Sequence, residues 1–437
     1  RRCLRNKRTV SHTLPTRPME DPSPKPVRFP KNKIRILLLE NIHEVAVRAF
    51  EAQGFQVEVK VALSPDELLA RIEGTNGHEP IHAIGVRSKT AMTPELLKKA
   101  KRLLCVGCFC IGTDNHALEV AAEQAIPVFN APFSNTRSVA ELIIGQIIAL
   151  SRQLVDRSTE CHNGGWYKVS KGCCEVRAKT LGIIGYGHVG SQVSVLAESL
   201  GMRVVYFDVI PKLALGNAVQ LSSMAELLST SNYVTLHVPQ LESTRNLITE
   251  TQINMMKRGS YLLNAARGDV VDIDAFAAAV RSGHLAGGTA DVFPQEPKKN
   301  GDNLFESPMR GLKNVILTPH IGGSTEEAQE AIGVEVSNAI IKFINSGITY
   351  GTVNFPEIDI AQRPGTHRLL NVHKNVPGVL SKINTALCDA DVNIVQQQLG
   401  TNESIGYLVV DMASESSELA LSKIKELDTS IRTRVLW

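Results

Sequence analysis

Residues 180–208 read TLGIIGYGHVGSQVSVLAESLGMRVVYFD and decide the fold of this chain. The apolar run at 181–184 predicts a buried parallel strand, and a helical pattern follows the glycine-rich turn to residue 200. A second apolar run at 204–207 predicts another strand, which ends at Asp208 about 20 residues beyond the glycines. A strand, a glycine turn, a helix and a strand ending in an acid are the pattern of a dinucleotide-binding unit.

The glycines of this turn each have a physical reason in such a unit. Gly185 permits a tight turn, Gly187 lets the backbone approach a pyrophosphate, and Gly190 lets the helix pack close to the strand. The N-terminus of the helix offers free N–H groups and the positive end of its dipole to the phosphates. A glycine-rich packing turn without a ligand would not require the two strands and the acid.

Asp208 decides which dinucleotide is predicted. Its carboxylate can accept hydrogen bonds from the hydroxyls of the adenosine ribose. A phosphate on that ribose would meet a like charge, so the sequence predicts NAD rather than NADP as the cofactor.

The chain of 437 residues is too long for one hydrophobic core and predicts two or three domains. Its 43% hydrophobic and 21% charged residues are ordinary for a globular protein, and no apolar run approaches the ~18 residues of a membrane span. Cys105, Cys108 and Cys110 lie in one apolar run. Their C-x-C spacing, with no second pair nearby, does not favour a metal, so we predict buried, reduced thiols in a cytoplasmic protein.

The formal net charge of +3 conceals a basic N-terminal segment. Residues 1–18 hold six basic side chains and no acidic one, so the rest of the chain carries −3, and nucleic-acid binding is not indicated. Residues 1–33 contain six prolines and are predicted to be a disordered extension. An organelle transit peptide has a similar composition, and untranslated upstream sequence is a further reading because Met19 is the first methionine.

Strands alternate with helices on both sides of the dinucleotide unit. The alternation predicts an α/β fold of two doubly wound parallel sheets, a flavodoxin-like substrate domain at 34–130 and a Rossmann NAD domain at 131–314. A strand at 315–317 and a long helix at 325–344 are predicted to return to the first domain, which would then include 315–346.

The C-terminal part of the chain predicts a separate module. Residues 347–366 are rich in glycine and proline and predict a linker. Residues 367–437 follow the order β-α-β-β-α-β, which is that of a ferredoxin-like domain. A module of this size suits ligand sensing or pairing between subunits rather than the chemistry itself.

Three short motifs follow predicted strands of the NAD domain: NAARG at 264–268, DVFPQEP at 291–297 and TPHIGGS at 318–324. Ligands of open α/β sheets bind at the carboxyl ends of the strands, so these motifs predict an active site.

Hydride transfer from a 2-hydroxy acid needs a cation, a base and an acid, and the motifs supply one of each. Arg267 can hold the substrate carboxylate with two parallel hydrogen bonds. His320 can take the hydroxyl proton near neutral pH, and Glu296 can orient the imidazole and stabilise its charged form. Each residue alone has an ordinary structural reading, and Asp291 either holds the nicotinamide amide or caps a turn.

With these residues in place, the chain resembles the D-2-hydroxyacid dehydrogenase family over residues 34–437. Within that family it is similar to the branch that oxidises 3-phospho-D-glycerate and carries one C-terminal ACT domain. The resemblance rests on VRSKT at 86–90, GCFCIGTDN at 107–115, NAPFSNTRSVAE at 130–141, LGIIGYGHVGSQ at 181–192, LHVP at 236–239 and TPHIGGSTEEAQ at 318–329.

The resemblance implies roles for individual residues. It implies that Arg267, Glu296 and His320 are catalytic. It implies cofactor contacts from the glycine turn and from the ends of later strands: Gly185, Gly187, His188, Val189, Gly190, Asp208, His237, Val238, Pro239, Ala265, Asp291, Gly322 and Gly323. It implies a substrate loop of Arg87, Ser88 and Asn135.

Charge favours a phosphorylated substrate such as 3-phosphoglycerate. It carries about three negative charges and needs several cations, which Lys60, Arg87 and Lys89 can supply unless they form a solvated rim. The chain departs from the family where Lys89 replaces a frequent Arg and where Thr366 follows Gly365 in place of a second glycine. TDNHALEV at 113–120 also departs from the usual pattern, with no consequence evident from sequence.

The C-terminal module resembles ACT domains whose matching residues hold L-serine across a domain–domain interface. His373, Asn375 and Asn393 match those residues, although each could instead serve as a turn residue. The resemblance therefore implies feedback inhibition by L-serine and a homotetramer with paired ACT domains, without nucleic-acid or membrane partners.

Two alternatives remain at this point. One is a different D-2-hydroxyacid dehydrogenase, acting for example on glyoxylate or 2-hydroxyglutarate, and reduction of 2-oxoglutarate could be a side activity. The other is a non-enzymatic NADH-sensing protein on the same fold, which the ACT module argues against.

Overall fold

The computed structural model describes residues 30–297, 300–413 and 417–436. Most of the predicted N-terminal extension, residues 1–29, lies outside the described residues. The prediction is wrong for its last residues, because Lys31–Lys33 form a 3-10 turn in which Ile34 N–H donates to Lys31 O. The Nζ of Lys31 also donates to Gln53 Oε1 at 3.1 Å. These bonds attach the turn to the first domain.

The described residues form three sheets. The strands are β1 Arg35–Leu39, β2 Gln56–Lys60, β3 Ala83–Val86, β4 Cys105–Cys108, β5 Val128–Phe129, β6 Thr180–Ile184, β7 Arg203–Phe207, β8 Val219–Gln220, β9 Tyr233–Leu236, β10 Ser260–Asn264, β11 Leu285–Ala290, β12 Val315–Leu317, β13 His367–Lys374, β14 Ile394–Thr401, β15 Ile405–Met412 and β16 Ser430–Leu436. The helices are α1 Glu44–Ala52, α2 Pro65–Glu73, α3 Pro94–Lys99, α4 Leu118–Glu123, α5 Thr136–Ser151, α6 Leu154–His162, α7 His188–Ser199, α8 Met224–Thr230, α9 Glu250–Met255, α10 Ile273–Arg281, α11 Glu326–Ser346, α12 Val379–Cys388 and α13 Ser417–Lys425.

The first sheet is parallel and has the strand order β2-β1-β3-β4-β5, which is the flavodoxin-like order. Apolar side chains cover it on both faces. One face shares a core with α1 and α11, in which Ile36 and Leu38 pack with Val336 and Ile340. The helix α11 therefore returns to the first domain as predicted.

The second sheet has the order β12-β11-β10-β9-β6-β7-β8. Around β6 this is a Rossmann arrangement, in which β7 and β8 lie on one side and β9 to β12 on the other. The prediction that β12 joins the first domain is wrong, because β12 pairs in parallel with β11, Ala290 facing Leu317. Three residues are too few to specify a sheet by their pattern, so tertiary pairing decides. The chain crosses back only after β12.

The third sheet is antiparallel with the order β14-β15-β13-β16, and α12 and α13 cover one face. This is the predicted ferredoxin-like arrangement. The other face of this sheet is also covered. Its residues Leu370, Val372 and Tyr407 share a core with Phe343 of α11 and with Phe355.

Arginines strengthen this docking of the third sheet. The Arg368 guanidinium is fully buried and donates to both carboxylate oxygens of Asp411, at 2.6 and 2.9 Å, and to Ser346 O. Arg432 donates to Leu103 O at 2.6 Å in the first domain. Bonds from charged donors to buried carbonyls are stronger than neutral ones, so the module is held in one orientation in this structure.

The predicted linker has no helix or strand, but it is packed. Phe355 and Ile358 are buried, and Val353 N–H donates to Val128 O at 2.9 Å. The side chain of Asn354 accepts from Val128 N–H and donates to Ile126 O, as a neighbouring strand would. Several of its other side chains are exposed, among them Tyr350 at 63%, but these buried anchors hold the segment more firmly than its composition predicted.

Within the described residues, no single helix is long and apolar enough to cross a membrane. The helices α5 and α6 pass that test only as a pair, and they are bent by 67° relative to each other. The described cysteines are free; Cys105 and Cys108 are buried as predicted, whereas Cys110 is half-buried.

Candidate active site

The glycine turn lies between β6 and α7, where sequence analysis predicted the cofactor. Gly185 has φ of 92°, and a Cβ there would meet the His237 carbonyl carbon at 2.8 Å. Only glycine permits this approach between the ends of β6 and β9. A Cβ on Gly187, by contrast, would meet nothing within 4 Å, so the backbone before α7 is open.

The helix α7 begins at His188, with Gly187 as its N-cap. The N–H groups of its first turn have no intrahelical acceptor and face this opening, which suits a pyrophosphate. His188 is exposed and its ring lies 4.1 Å from that of Phe133. The turn thus fits the dinucleotide by its open backbone and its unpaired donors.

Asp208 follows β7 directly and is linked to the glycine turn. Its Oδ2 accepts from Tyr186 N–H at 2.8 Å and its Oδ1 from Ile210 N–H at 3.2 Å. Each carboxylate oxygen has a second lone pair, and the residue is partly exposed. These remaining acceptor positions are those expected to take the ribose hydroxyls.

Further predicted cofactor residues follow the ends of β9 and β10. In the sheet register Ile184 faces Leu236, and Leu236 faces Asn264, so His237, Val238, Pro239 and Ala265 come next to the turn. Burial lowers the pKa of His237 to about 3, and its Nε2 lies 3.0 Å from Thr235 Oγ1. The imidazole is therefore neutral at physiological pH.

The loop after β10 holds Arg267 and contacts the loop after β11. The side chain of Asn264 accepts from Ala266 N–H and donates to Arg267 O, which fixes the loop. A Cβ on Gly268 would collide with the Phe293 backbone. This close approach brings Arg267 beside the segment that carries Glu296.

His320 and Glu296 form the predicted pair. The Nδ1–H of His320 donates to Glu296 Oε2 at 2.9 Å and to Oε1 at 3.2 Å. A carboxylate only accepts, so the proton is on Nδ1 and Nε2 is left to accept a proton. The imidazole is 51% exposed and thus open to a substrate.

Electrostatics tune this pair in opposite directions. The hydrogen bond to Glu296 raises the pKa of His320 above 6.5, against burial, and the charges of Glu296 and Asp291 add to the rise. Burial raises the pKa of Glu296, but the bond and charge of His320, with Phe293 N–H and Arg267, lower it overall. At neutral pH the carboxylate is charged and ready to stabilise an imidazolium.

Asp291 holds the loop that carries His320. It is 1% exposed and accepts hydrogen bonds from Thr318 Oγ1, Ile321 N–H and Gly322 N–H, at 2.6, 2.9 and 2.8 Å. His320 itself has φ of 54°, a left-handed conformation that costs about 1–2 kcal/mol. Asp291 therefore caps this turn, which was one of its two predicted roles. Its contact with the nicotinamide stays a prediction.

We expect a pH profile that reports this pair. In the oxidation direction His320 must be neutral, so kcat/KM should fall as pH drops through its raised pKa, above 6.5. Glu296→Gln removes the carboxylate that contributes most to the rise, so burial and Arg267 then oppose only the charge of Asp291, and the acid limb should move to lower pH. Initial rates of wild type and Glu296→Gln between pH 5 and 9 measure the two profiles. If the acid limb of the variant did not move, it would report a group other than His320.

The first domain contributes the opposite wall of the cleft. Asp114, after β4, has its Oδ2 3.8 Å from Arg267 Nε. Burial raises the pKa of Cys110 to about 11, while the charges of Arg87 and then Arg267 oppose the rise. Arg87 and Arg267 thus both act on the charge balance of this thiol, and the Asp114–Arg267 contact is where the first domain meets the catalytic loop.

The other predicted substrate residues of the first domain lie at different distances from Arg87. Ser88 and Lys89 are exposed beside Arg87. Lys60 ends β2, which β1 separates from β3, and its Nζ lies 3.8 Å from Glu58. Two strand spacings put Lys60 about 10 Å from the β3 end, so its substrate contact stays a prediction.

Asn135 lies where the two domains connect. A Cβ on Gly323 would meet its Cγ at 3.0 Å, and nearby Ser138 Oγ is 2.8 Å from Thr325 Oγ1. The Oδ1 of Asn135 is buried without a hydrogen-bond partner among the described residues. A buried acceptor of this kind requires a ligand or water, which supports the predicted substrate role.

The predicted serine residues do not meet within one chain. His373 pairs with Gly406 in the sheet, whereas Asn393 precedes Ile394, which pairs with Met412. Six residues of β15 separate the two levels, or about 20 Å. Asn375 is near His373 and donates from Nδ2 to Asn402 O at 2.7 Å, which leaves its Oδ1 for a ligand. A complete site would require a second copy.

Comparisons with known proteins agree with this geometry. Residues 144–322 match the family model "D-isomer specific 2-hydroxyacid dehydrogenase, NAD binding domain", and residues 369–432 match "AHAS small subunit-like ACT domain". The Aquifex aeolicus D-lactate dehydrogenase, solved with NAD and lactic acid, is 28% identical, with a TM-score of 0.63 over 74% of this chain and 100% of that one. The class is thus an NAD-dependent D-2-hydroxyacid dehydrogenase with an added ACT domain.

The chain belongs to the D-3-phosphoglycerate dehydrogenase family. It is 55% identical to the Dictyostelium discoideum enzyme of that name over 94% of this chain and 98% of the relative. It is 46% identical to the Escherichia coli K12 enzyme of that name over 94% of this chain and 99% of the relative. The predicted α/β fold with an ACT domain, the NAD cofactor and the dehydrogenase class are confirmed.

Proposed function

We propose that this enzyme oxidises 3-phospho-D-glycerate with NAD to 3-phosphohydroxypyruvate, the first step of phosphorylated L-serine biosynthesis. One observation carries the proposal: the His320–Glu296 pair and Arg267 lie on adjoining loops of the NAD domain, and Arg267 reaches Asp114 of the first domain at 3.8 Å. The curated relatives, named D-3-phosphoglycerate dehydrogenase, support the same reaction. We propose reduction of 2-oxoglutarate as a side activity, because its second carboxylate can use the cations that bind the phosphate.

The residues of the chain divide the chemistry among them. Arg267 binds the carboxylate of the hydroxy acid, and Arg87, Ser88 and Lys89 take the phosphate. The Nε2 of His320 accepts the hydroxyl proton, while Glu296 holds the ring and stabilises its charge. NAD, held by the glycine turn and Asp208, supplies the hydride acceptor when bound.

A turnover assay tests the proposal directly. Purified enzyme with NAD should form NADH from 3-phosphoglycerate, with kcat/KM well above that for glycerate, which lacks the phosphate. Equal efficiency with glyoxylate or 2-hydroxyglutarate would favour another member of the family. No turnover with any 2-hydroxy acid would favour the NADH-sensing alternative.

The choice between NAD and NADP should depend on Asp208. Asp208→Ala removes the acceptor for the ribose and the repulsion of a 2′-phosphate, so KM for NAD should rise and the preference over NADP should narrow. Steady-state kinetics with both cofactors measure the ratio. Asn217→Ala, at an exposed residue after β7, should leave the ratio unchanged. A wild-type enzyme that uses both cofactors equally would contradict this account.

A homotetramer is part of the proposal. The helix α6 and the loop after it expose Leu154, Trp166 and Tyr167, the last two to 86% and 63%. Such an apolar surface on the NAD domain suits pairing with a second copy. The sheet edge β14 of the ACT domain, with Val395 half-exposed, offers a second pairing surface. Light scattering measures the mass.

The ACT domain is proposed to bind L-serine and inhibit the enzyme. Support comes from His373 and Asn375 at one end of the ACT sheet and Asn393 at the other, which two paired copies would bring together. Because the ACT sheet shares a core with the first domain, rotation at Gly365 alone would break that core. The expected hinge is therefore at Gly322–Gly323 and Asn135, where the two catalytic domains meet.

Serine titration tests this part. Asn375→Ala should raise the serine concentration for half-inhibition severalfold or more and leave uninhibited kcat nearly intact, since coupling energies are about 1–3 kcal/mol. His373→Ala and Asn393→Ala should act alike. Asn384→Ala, on the exposed side of α12, is the matched control. Superimposable curves for wild type and Asn375→Ala would place the serine site elsewhere.

A further inference from the structure

The turn after β4 departs from the family pattern, and the structure shows what its side chains do. We define the substrate loop as residues 87–90, which follow β3. The ends of β3 and β4 are adjacent, because Val86 pairs with Cys108. The turn residues Asn115 and His116 therefore lie beside the substrate loop.

Asn115 binds the substrate loop through its amide nitrogen. Its Nδ2 donates to Ser88 O at 3.1 Å and to Thr90 O at 3.2 Å. Both protons of the amide are thus used on loop carbonyls, which fixes the orientation of the amide group. Its Oδ1 must then point away from the loop.

His116 binds the amide oxygen of Asn115 from behind. Its Nδ1 lies 2.5 Å from Asn115 Oδ1, and its Nε2 lies 3.1 Å from Cys108 Sγ. Since the amide oxygen only accepts, Nδ1 carries the proton, and a neutral ring then accepts the Cys108 S–H at Nε2. Burial lowers the pKa of His116 to about 4, which keeps the ring neutral.

These hydrogen bonds form a relay from Cys108 through His116 to Asn115, and it begins at a thiol that stays protonated. Cys108 is fully buried, and burial raises its pKa well above the ordinary range. Every proton of the relay therefore has a defined place: Cys108 S–H to His116, His116 N–H to Asn115, and Asn115 NH₂ to the loop. The direction of all these bonds follows from the chemistry of the groups.

The opposite side of the substrate loop is also held. The Glu40 carboxylate accepts from Lys89 N–H at 3.0 Å and from Thr90 N–H at 2.7 Å. Together, Glu40 and Asn115 bind only backbone groups of the loop. This leaves the side chains of Arg87, Ser88 and Lys89 to a ligand.

We propose that Asn115 and His116 are positioning residues, which hold the substrate loop in the shape that binds the phosphate end of the substrate. The inference rests on the proposed function, because it takes residues 87–89 as the phosphate site. Its signature is a change in KM for phosphorylated substrates with little change in kcat, since the reacting end lies with Arg267 and His320.

The decisive variant is Asn115→Asp, which keeps the shape of the side chain and loses both donors. The carbonyls of Ser88 and Thr90 would lose their donors and would face a negatively charged carboxylate oxygen instead. We therefore expect KM for 3-phosphohydroxypyruvate to rise about tenfold or more, with kcat nearly unchanged. KM for hydroxypyruvate, the same oxo acid without phosphate, should not move, nor should KM for NADH. The control Asn76→Asp makes the same change at an exposed turn of the first domain.

Three further variants keep the test decisive if Asn115→Asp folds poorly. His116→Phe removes both bonds of the ring and should raise the same KM by a smaller factor. Cys108→Ser keeps the donor and should stay near wild type, whereas Cys108→Ala should not.

An equal KM rise for hydroxypyruvate, or a fall in kcat alone, in folded variants would overturn the positioning role. A wild-type enzyme inactive on 3-phosphohydroxypyruvate would instead overturn the proposed function.

Discussion

Replacing His320 with Ala is expected to lower turnover by about 10²–10⁴-fold, which is the usual contribution of a positioned general base. The physical reason is the unprotonated Nε2, which the Nδ1–H bond to Glu296 leaves as the proton acceptor. No other described imidazole is paired with a carboxylate in this cleft, so no neighbour can replace it. Stopped-time assays with saturating NAD and 3-phosphoglycerate measure the loss.

The controls separate chemistry from folding. His284→Ala changes a histidine that precedes β11, at the opposite end of the strand from the site, and should keep near-wild-type turnover. NADH affinity of His320→Ala should also be close to wild type, because the ring is not part of the glycine turn. Turnover of His320→Ala within threefold of wild type would remove His320 from the mechanism.

Gly268→Ala is expected to abolish most activity without touching any reacting group. A Cβ at this position would collide with the carbonyl of Phe293, so the loop of Arg267 and the loop of Glu296 must separate. A misplacement of about 1 Å in such a site can cost about 10²-fold in rate. We expect a loss of that order in kcat/KM, together with a lower melting temperature.

The matched control is Gly145→Ala, in the middle of α5. A Cβ there would meet nothing within 4 Å, and alanine is the better helix former by about 1 kcal/mol. Its activity should be unchanged and its stability equal or higher. If Gly268→Ala kept full activity, the contact between the two loops would not position Arg267 and Glu296.

Much of the site could be predicted from sequence because its residues lie in short motifs at the ends of strongly apolar strands. The glycine turn, Asp208 and the Arg267, Glu296 and His320 set follow from local pattern and from the chemistry that hydride transfer needs. The structure brings His320 to Glu296, 24 residues apart, because β11 and β12 are neighbours. Local pattern could not predict how far Lys60 lies from the other substrate residues, nor that the predicted serine-binding residues lie at opposite ends of the ACT sheet.

What the sequence determined by itself was the α/β class, the NAD unit and the chemistry of the motifs, because strand and helix periodicity and the glycine spacing are local properties. Only the tertiary structure decided where β12 pairs, since three apolar residues fit either sheet. It also decided that the 347–366 segment packs on β5, and that Asn115 and His116 hold the substrate loop. Those features depend on contacts between residues far apart in the chain, and no local pattern encodes which partner a buried polar group will find.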